Sequence, residues 1–217
     1  MATSGRRLSR RMVLRSGVGA AAVLGLAAVL APAATAATSS AVAEPKIATG
    51  RKSANGWDME TGPDIGGAIW TAAVPGSGCS VALRIGAATA VLVHVARRFH
   101  YEIGSLDLGG IVSFKDPANL TGYETNHASG TAIDIRPGWY PAGVRGNFLK
   151  HEVAVIRDVL RECGGVVGWG GDFAQPDEGH FQIDVGPGDA RLARLVDQLR
   201  HWDQLPGKGA GAILLGS

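Results

Sequence analysis

The sequence predicts an α+β domain, a small antiparallel β-sheet flanked by helices. Three stretches carry apolar residues at helical spacing and four short stretches carry them at strand spacing, mixed without a regular strand–helix–strand rhythm. No internal repeat interrupts this pattern, and a dense set of polar residues lies between the apolar runs in its second half.

The first 36 residues stand apart from the fold. "SRRMVLR" (Ser9 to Arg15), followed by the apolar run from Gly17 to Ala31, reads as a twin-arginine export signal, and "ATA" (Ala34 to Ala36) offers a small-residue cleavage site. The apolar run is short for a membrane span, so a released chain is expected, with an uncleaved anchor as the alternative. Removing the signal takes away five arginines and no acid, which leaves 16 basic against 19 acidic residues. The remaining chain is mildly acidic and lacks the electrostatic footprint of a nucleic-acid binder. About 181 residues then remain of 217, enough for one domain that buries roughly two-thirds of its unfolded surface. Residues 37–55, rich in Ala, Ser, Thr and Gly, read as a flexible leader; 56–204 read as the domain; and 205–217 read as a glycine-rich tail.

A first helix is expected from Ser80 to about His100, with Leu83, Ala87, Ala90, Val91, Val95 and Phe99 on one face. A second runs from Asn147 to Cys163, where Leu149, Val153, Ile156 and Leu160 repeat at three- and four-residue steps and Gly164–Gly165 stop it. A third follows Pro187, with Asp189 as N-cap and Leu192, Leu195, Val196, Leu199 and Trp202 as its buried stripe. Strands are expected in "GIVSF" (Gly110 to Phe114), "TAIDI" (Thr131 to Ile135), "GVVGW" (Gly165 to Trp169) and "HFQIDV" (His180 to Val185). Cys79 and Cys163, exported into oxidising surroundings, are expected to close a disulfide that stabilises the fold by roughly 4 kcal/mol. Two inert buried thiols are the alternative.

In "TAIDI" the side chains alternate, so Ala132 and Asp134 share one face, with Asp134 presented, while Ile133 and Ile135 point into the core. His127 lies just before this strand, and Gly130 lets the backbone turn so that an imidazole and a carboxylate seven residues apart converge. Further on, His180 opens a strand and Asp177 stands three residues before it. Two histidines and an aspartate are a recurrent ligand set for a catalytic zinc, which keeps its fourth position for water, and a carboxylate beside that water is its general base.

"HASGTAID" and "DEGHF" fit the H-x-x-G-x-A-x-D and D/E-x-x-H-F motifs of the zinc peptidases grouped with lysostaphin, D-Ala-D-Ala metallopeptidases and the hedgehog signalling domain. Within that group the chain most resembles the D-alanyl-D-alanine carboxypeptidase and L-alanyl-D-glutamate endopeptidase branch, which also shares "WGGDF" (Trp169 to Phe173). The resemblance spans about Thr125 to Gln182. It implies that His127, Asp134 and His180 hold one Zn2+ per chain, that Asp177 is the general base, and that the substrates are peptidoglycan stem peptides. The resemblance also implies the hedgehog-like fold, a small antiparallel sheet flanked by helices.

Two features depart from the pattern. The upstream Tyr-Arg-Ser segment, whose arginine supports the developing oxyanion in many members, is missing, which leaves Arg84, Arg97, Arg98 and Lys115 as candidates. Thr125 stands where relatives often carry serine and is a candidate substrate contact, as are Trp169 and Gln182; Trp169 reads equally as a core indole, and Gln182 as a group that orients a ligand. Glu178 competes with Asp177 for the role of base, because strand alternation puts it on the His180 side if the extended backbone begins that early. "HEVAV" from His151 lacks the second histidine of a zinc helix, and His94, His100 and His201 read as structural.

The expectation is therefore a secreted or wall-associated monomeric metallopeptidase that removes a terminal D-alanine or cuts within the stem, with no nucleic-acid partner and no membrane span after signal cleavage. A zinc-containing cell-wall binding domain without hydrolysis is the rival from another class, and a hydrolase with a different substrate is a third reading.

Overall fold

The computed structural model describes residues 47–205 and 207–210. The stretch read as a twin-arginine signal, the first ten residues of the expected leader and the end of the expected tail lie outside the described residues. Two hairpins come first: β1 (Ala48–Lys52) pairs with β2 (Asp58–Glu60), and β3 (Ile69–Ala73) with β4 (Ser80–Arg84), both antiparallel. Helix α1 (Ala87–Glu102) follows, then the short strand β5 (Ile111–Val112), the one-turn helix α2 (Thr125–Ala128) and strand β6 (Ala132–Ile135). The chain continues through α3 (Lys150–Glu162), β7 (Val167–Trp169), β8 (His180–Ile183) and α4 (Ala190–Asp203).

The main sheet has the order β5-β6-β8-β7 with every neighbouring pair antiparallel, which makes the fold α+β. Its core face carries Ile133, Ile135, Phe181 and Ile183, each at most 2% exposed. Against these pack Val91, Leu92, Val95 and Phe99 of α1, Ile156 and Val159 of α3, and Leu192, Leu195, Val196 and Leu199 of α4. Burying each such side chain contributes on the order of 1.5–3 kcal/mol, so the sheet is held from behind by its own periodicity. Asp189 caps α4 as expected, its carboxylate accepting from the Arg191 amide at 2.8 Å.

The structure departs from the expectation at the first helix. Residues 80–84 are strand β4, and α1 begins only after Gly86, whose φ of 89° breaks the extended run. Val81 and Leu83 are buried at period two against β3, while Leu83 also stands at helical spacing from Ala87 and Ala90. Residues 48–52, read from composition as leader, form β1 and cross-pair with β2. The disulfide is also absent: Cys79 and Cys163 are free and buried. The Cys79 thiol instead donates to the Asp107 carbonyl at 2.7 Å, and Cys163 caps α3, where burial pushes its thiol up to about 12. No helix among the described residues is long and apolar enough to cross a membrane.

Candidate metal centre

Strand register builds the centre. In the β6–β8 ladder Asp134 stands directly opposite His180, Ile133 opposite Phe181 and Ala132 opposite Gln182. The third side chain comes from α2, which a web of short contacts holds against the sheet. Thr125 Oγ donates to the Gly122 carbonyl at 2.6 Å and accepts from the Ala54 amide at 2.8 Å. Asn55 bonds Asn126, Thr131 and the Ile183 carbonyl, which ties α2 to β8. Gly130 closes the turn into β6 at φ 67°, and a Cβ there would come within 2.5 Å of the Arg84 amide nitrogen, so both conformation and space demand glycine.

His127, Asp134 and His180 meet. Asp134 Oδ1 lies 3.2 Å from His127 Nε2 and 2.8 Å from His180 Nδ1. The outer nitrogens fix the tautomers. His127 Nδ1 is 2.5 Å from the Ser113 carbonyl oxygen, which only accepts, so the proton sits on Nδ1 and Nε2 keeps its lone pair. His180 Nε2 is 3.0 Å from Gln182 Oε1; Gln182 Nε2 donates to Asp184 Oδ1 at 2.6 Å, and Asn126 Nδ2 donates to the same Gln182 oxygen, so that oxygen is an acceptor and His180 Nδ1 faces inward bare. Two imidazoles and a carboxylate converge in a place where all three groups are buried, an arrangement whose donors suit a metal cation. The donor types fit a zinc ion, and among the described residues the groups whose ligand atoms all lie within 4.8 Å of one another are Glu124 with His127 and His180, and Asp134 with Asp177 and His180.

Alternation along β6 predicts a presented Asp134, whereas the carboxyl is only 6% exposed because His127, His180 and Lys115 close around it. Burial pushes its pKa up, but hydrogen bonds and positive charge from the two imidazoles in their proton-bearing form, the form a bound cation would displace, more than offset this and hold it well below the usual carboxylate range. Asp177 moves the other way. Burial, reinforced by the Asp134 charge, raises it above the usual range, while His180 and the Tyr123 hydroxyl, which donates to Asp177 Oδ2 at 3.1 Å, partly offset the rise. Gly170 makes this position possible: a Cβ there would come within 2.2 Å of the Asp177 carbonyl oxygen.

Glu178 points elsewhere, accepting from the Gly146 and Asn147 amides at 2.8 Å each and from the Asn147 side chain at 2.9 Å. Of the four cations considered for the oxyanion, only Lys115 reaches the centre. Its ammonium lies 2.6 Å from Asp134 Oδ2 and 2.7 Å from Glu124 Oε2; burial lowers its pKa, and the two carboxylates more than offset that. Arg84 binds the Ser129 and Asp58 carbonyls, Arg97 binds Asp203 and the Ala210 carbonyl, and Arg98 binds Glu102, Asp158 and Glu162.

The three residues read as substrate contacts serve the scaffold. Thr125 has its hydroxyl engaged on both sides, Trp169 is a core indole whose N–H donates to the Glu178 carbonyl at 2.7 Å, and Gln182 orients His180. Tyr123 was missed, because nothing in the motif spacing marks it. Its only signal is an aromatic residue four before His127, and its role depends on Asp177 arriving from 54 residues away. His94 pairs with Glu162, structural as read, and Glu152 caps α3 through the Leu149 amide.

No curated protein and no solved structure matches the chain significantly. Residues 119–183, the segment that carries His127, Asp134, Asp177 and His180, match the family model described as D-alanyl-D-alanine carboxypeptidase, a family of zinc-dependent peptidases.

Proposed function

We propose that the chain is an exported zinc peptidase that hydrolyses amide bonds of peptidoglycan stem peptides, with His127 Nε2, Asp134 Oδ1 and His180 Nδ1 as ligands and Asp177 as general base. The observation that carries this reading is the bare inward face of two tautomer-locked imidazoles around one carboxylate, with a second carboxylate of raised pKa beside it. A zinc ion bound there supplies Lewis-acid polarisation of the scissile carbonyl and an acidified water.

The chain's own residues do the rest. Ser113 and Gln182 keep the imidazole protons outward, so neither ring rotates away when the charge at the centre changes. Asp177 accepts a proton at its carboxylate and delivers it to the departing amine, and its raised pKa brings it closer to the pH at which both transfers are efficient. Tyr123 orients Asp177 by holding Oδ2. Lys115 places the one positive side chain in contact with the ligand carboxylate, where its charge supports the oxyanion in place of the missing arginine.

The reading is tested by incubating the zinc-loaded protein with stem pentapeptides, with and without a chelator, and identifying products by mass. Release of D-alanine or an internal cut that the chelator abolishes is the expected result. Intact peptide alongside bound zinc and bound wall fragments favours a non-catalytic binding domain.

A further inference from the structure

A surface cavity of about 390 Å³ opens where the β5–β6 ladder ends, between the 105–110 loop and residues 136–139. Arg136 lies two residues beyond Asp134, about 7 Å along the strand direction, and its amide donates to the Gly110 carbonyl at 2.8 Å. The cavity lining thus starts two residues along the chain from Asp134. Two large apolar side chains stand exposed in its lining, Leu108 at 90% and Trp139 at 71%, and Trp139 is the aromatic one.

The exposed ring is held, not loose. Arg136 takes a left-handed backbone with φ 47°, uncommon for a residue with a side chain, and its carbonyl accepts from both the Trp139 amide at 2.8 Å and the Tyr140 amide at 3.1 Å. The Arg136 guanidinium donates to the Ser105 carbonyl and lies 5.0 Å from the Trp139 ring centroid and 5.8 Å from that of Phe99. Gly104 leaves room for this guanidinium, since a Cβ there would meet it at 2.8 Å. Trp57, Trp70 and Trp169 each donate their indole N–H to a backbone carbonyl, whereas that of Trp139 has no such partner among the described residues. One face of the indole is thus covered by a cation, and the other face and the N–H remain for a ligand.

The lining selects the ligand class. Asp107 and Arg136 both line the cavity, so an anion meets a carboxylate and a cation meets a guanidinium, while a wholly apolar ligand strips water from both without replacing it. A neutral ring with one apolar face and a rim of hydroxyl and amide groups satisfies the platform and the rim together. We propose that this cavity is a saccharide subsite in which Trp139 stacks on a pyranose of an amino-sugar strand, the glycan that carries the stem peptide. The choice of amino sugar rests on the peptidase reading above; the stacking geometry does not.

Titration of the zinc-loaded chain with a β-1,4-linked N-acetylglucosamine tetrasaccharide, followed by indole fluorescence and by NMR, tests the site. Wild type is expected to bind saturably, Trp139→Ala at least tenfold more weakly, and Trp139→Phe in between, with circular dichroism and zinc content unchanged because the removed ring is exposed. Free stem pentapeptide should be hydrolysed equally by wild type and Trp139→Ala, whereas kcat/KM on glycan-linked substrate should fall about tenfold in the variant with kcat held. A wild type that does not bind the tetrasaccharide, or a Trp139→Ala variant that binds it as tightly as wild type, overturns the proposal. If wild type cleaves no peptide, the peptidase reading fails, and the titration still decides the saccharide site.

Discussion

Asp134 and His180 face each other as a register pair across two antiparallel strands, and their side chains meet at 2.8 Å between Oδ1 and Nδ1. Because the ladder fixes both Cα positions, the separation of these two ligand atoms depends on sheet register. A slip of one residue in either strand would turn that strand's side chain to the core face and separate the pair. Two of the three side chains are thus carried by paired strands of the main sheet, with His127 supplied by a one-turn helix.

Asp177→Ala is expected to lower kcat by at least about a thousandfold with zinc still bound, because the variant loses the base and keeps every proposed ligand. Rapid-quench turnover together with metal analysis checks this. Glu178→Ala should keep most of the turnover. Retained activity in Asp177→Ala would reassign the base.

Glu178→Gln should cost about 1–3 kcal/mol in stability, read from urea unfolding, because the Gly146 and Asn147 amides lose an ionised acceptor. Burial raises the Glu178 pKa, but those amides more than offset it, so the folded value lies below the ordinary one. The carboxylate therefore stabilises the fold fully above the ordinary glutamate pKa of about 4.3, and that contribution fades as pH falls through the folded value. The difference between wild type and Glu178→Gln should shrink in the same window.

Tyr123→Phe should shift the acidic limb of the kcat/KM profile upward. The base must be ionised, so activity falls as pH falls through the Asp177 pKa, and the tyrosine hydrogen bond favours the ionised form. Removing a bond of about 0.5–1.5 kcal/mol moves that pKa up by roughly half a unit to one unit. An unmoved limb would show that Tyr123 does not act on Asp177.

Gln182→Leu should weaken zinc binding by about 10- to 100-fold, read by competition with a chromogenic chelator, because His180 Nε2–H loses its acceptor and the ring its fixed tautomer. Unchanged affinity would remove Gln182 from the support of the centre.

Both thiols should be absent from labelling in the native protein and present after unfolding without reductant, since Cys79 and Cys163 are buried and free. No labelling after unfolding would indicate that they are bridged.

Much of the centre is legible in the sequence because strand alternation and the two short motifs place Asp134 and His180 locally, and both lie in strands that were read correctly in place and type. Gly130 is legible for the same reason, as a backbone position that only glycine occupies at low cost. What depends on distant chain is not. The tautomers of His127 and His180 are set by Ser113 and by Gln182 through Asp184, and Lys115 reaches Asp134 only after β5 pairs with β6. The hairpin β3–β4 was missed because Leu83 fits both the strand period with Val81 and the helical stripe with Ala87, and pairing with Trp70 and its neighbours decides between them. The cysteines misled because compartment predicts oxidation, whereas pairing depends on where the sulfurs point, and the Cys79 sulfur turns to the Asp107 carbonyl.

The most direct test of the central claim is zinc stoichiometry by elemental analysis after dialysis against limiting free zinc, on wild type and on His127→Ala, Asp134→Ala and His180→Ala. One zinc per chain in wild type, lost or bound at least a hundredfold more weakly in each variant with the fold intact, is the predicted result. A metal-free wild type that takes up no zinc, or three variants that bind it as wild type does, would contradict the account.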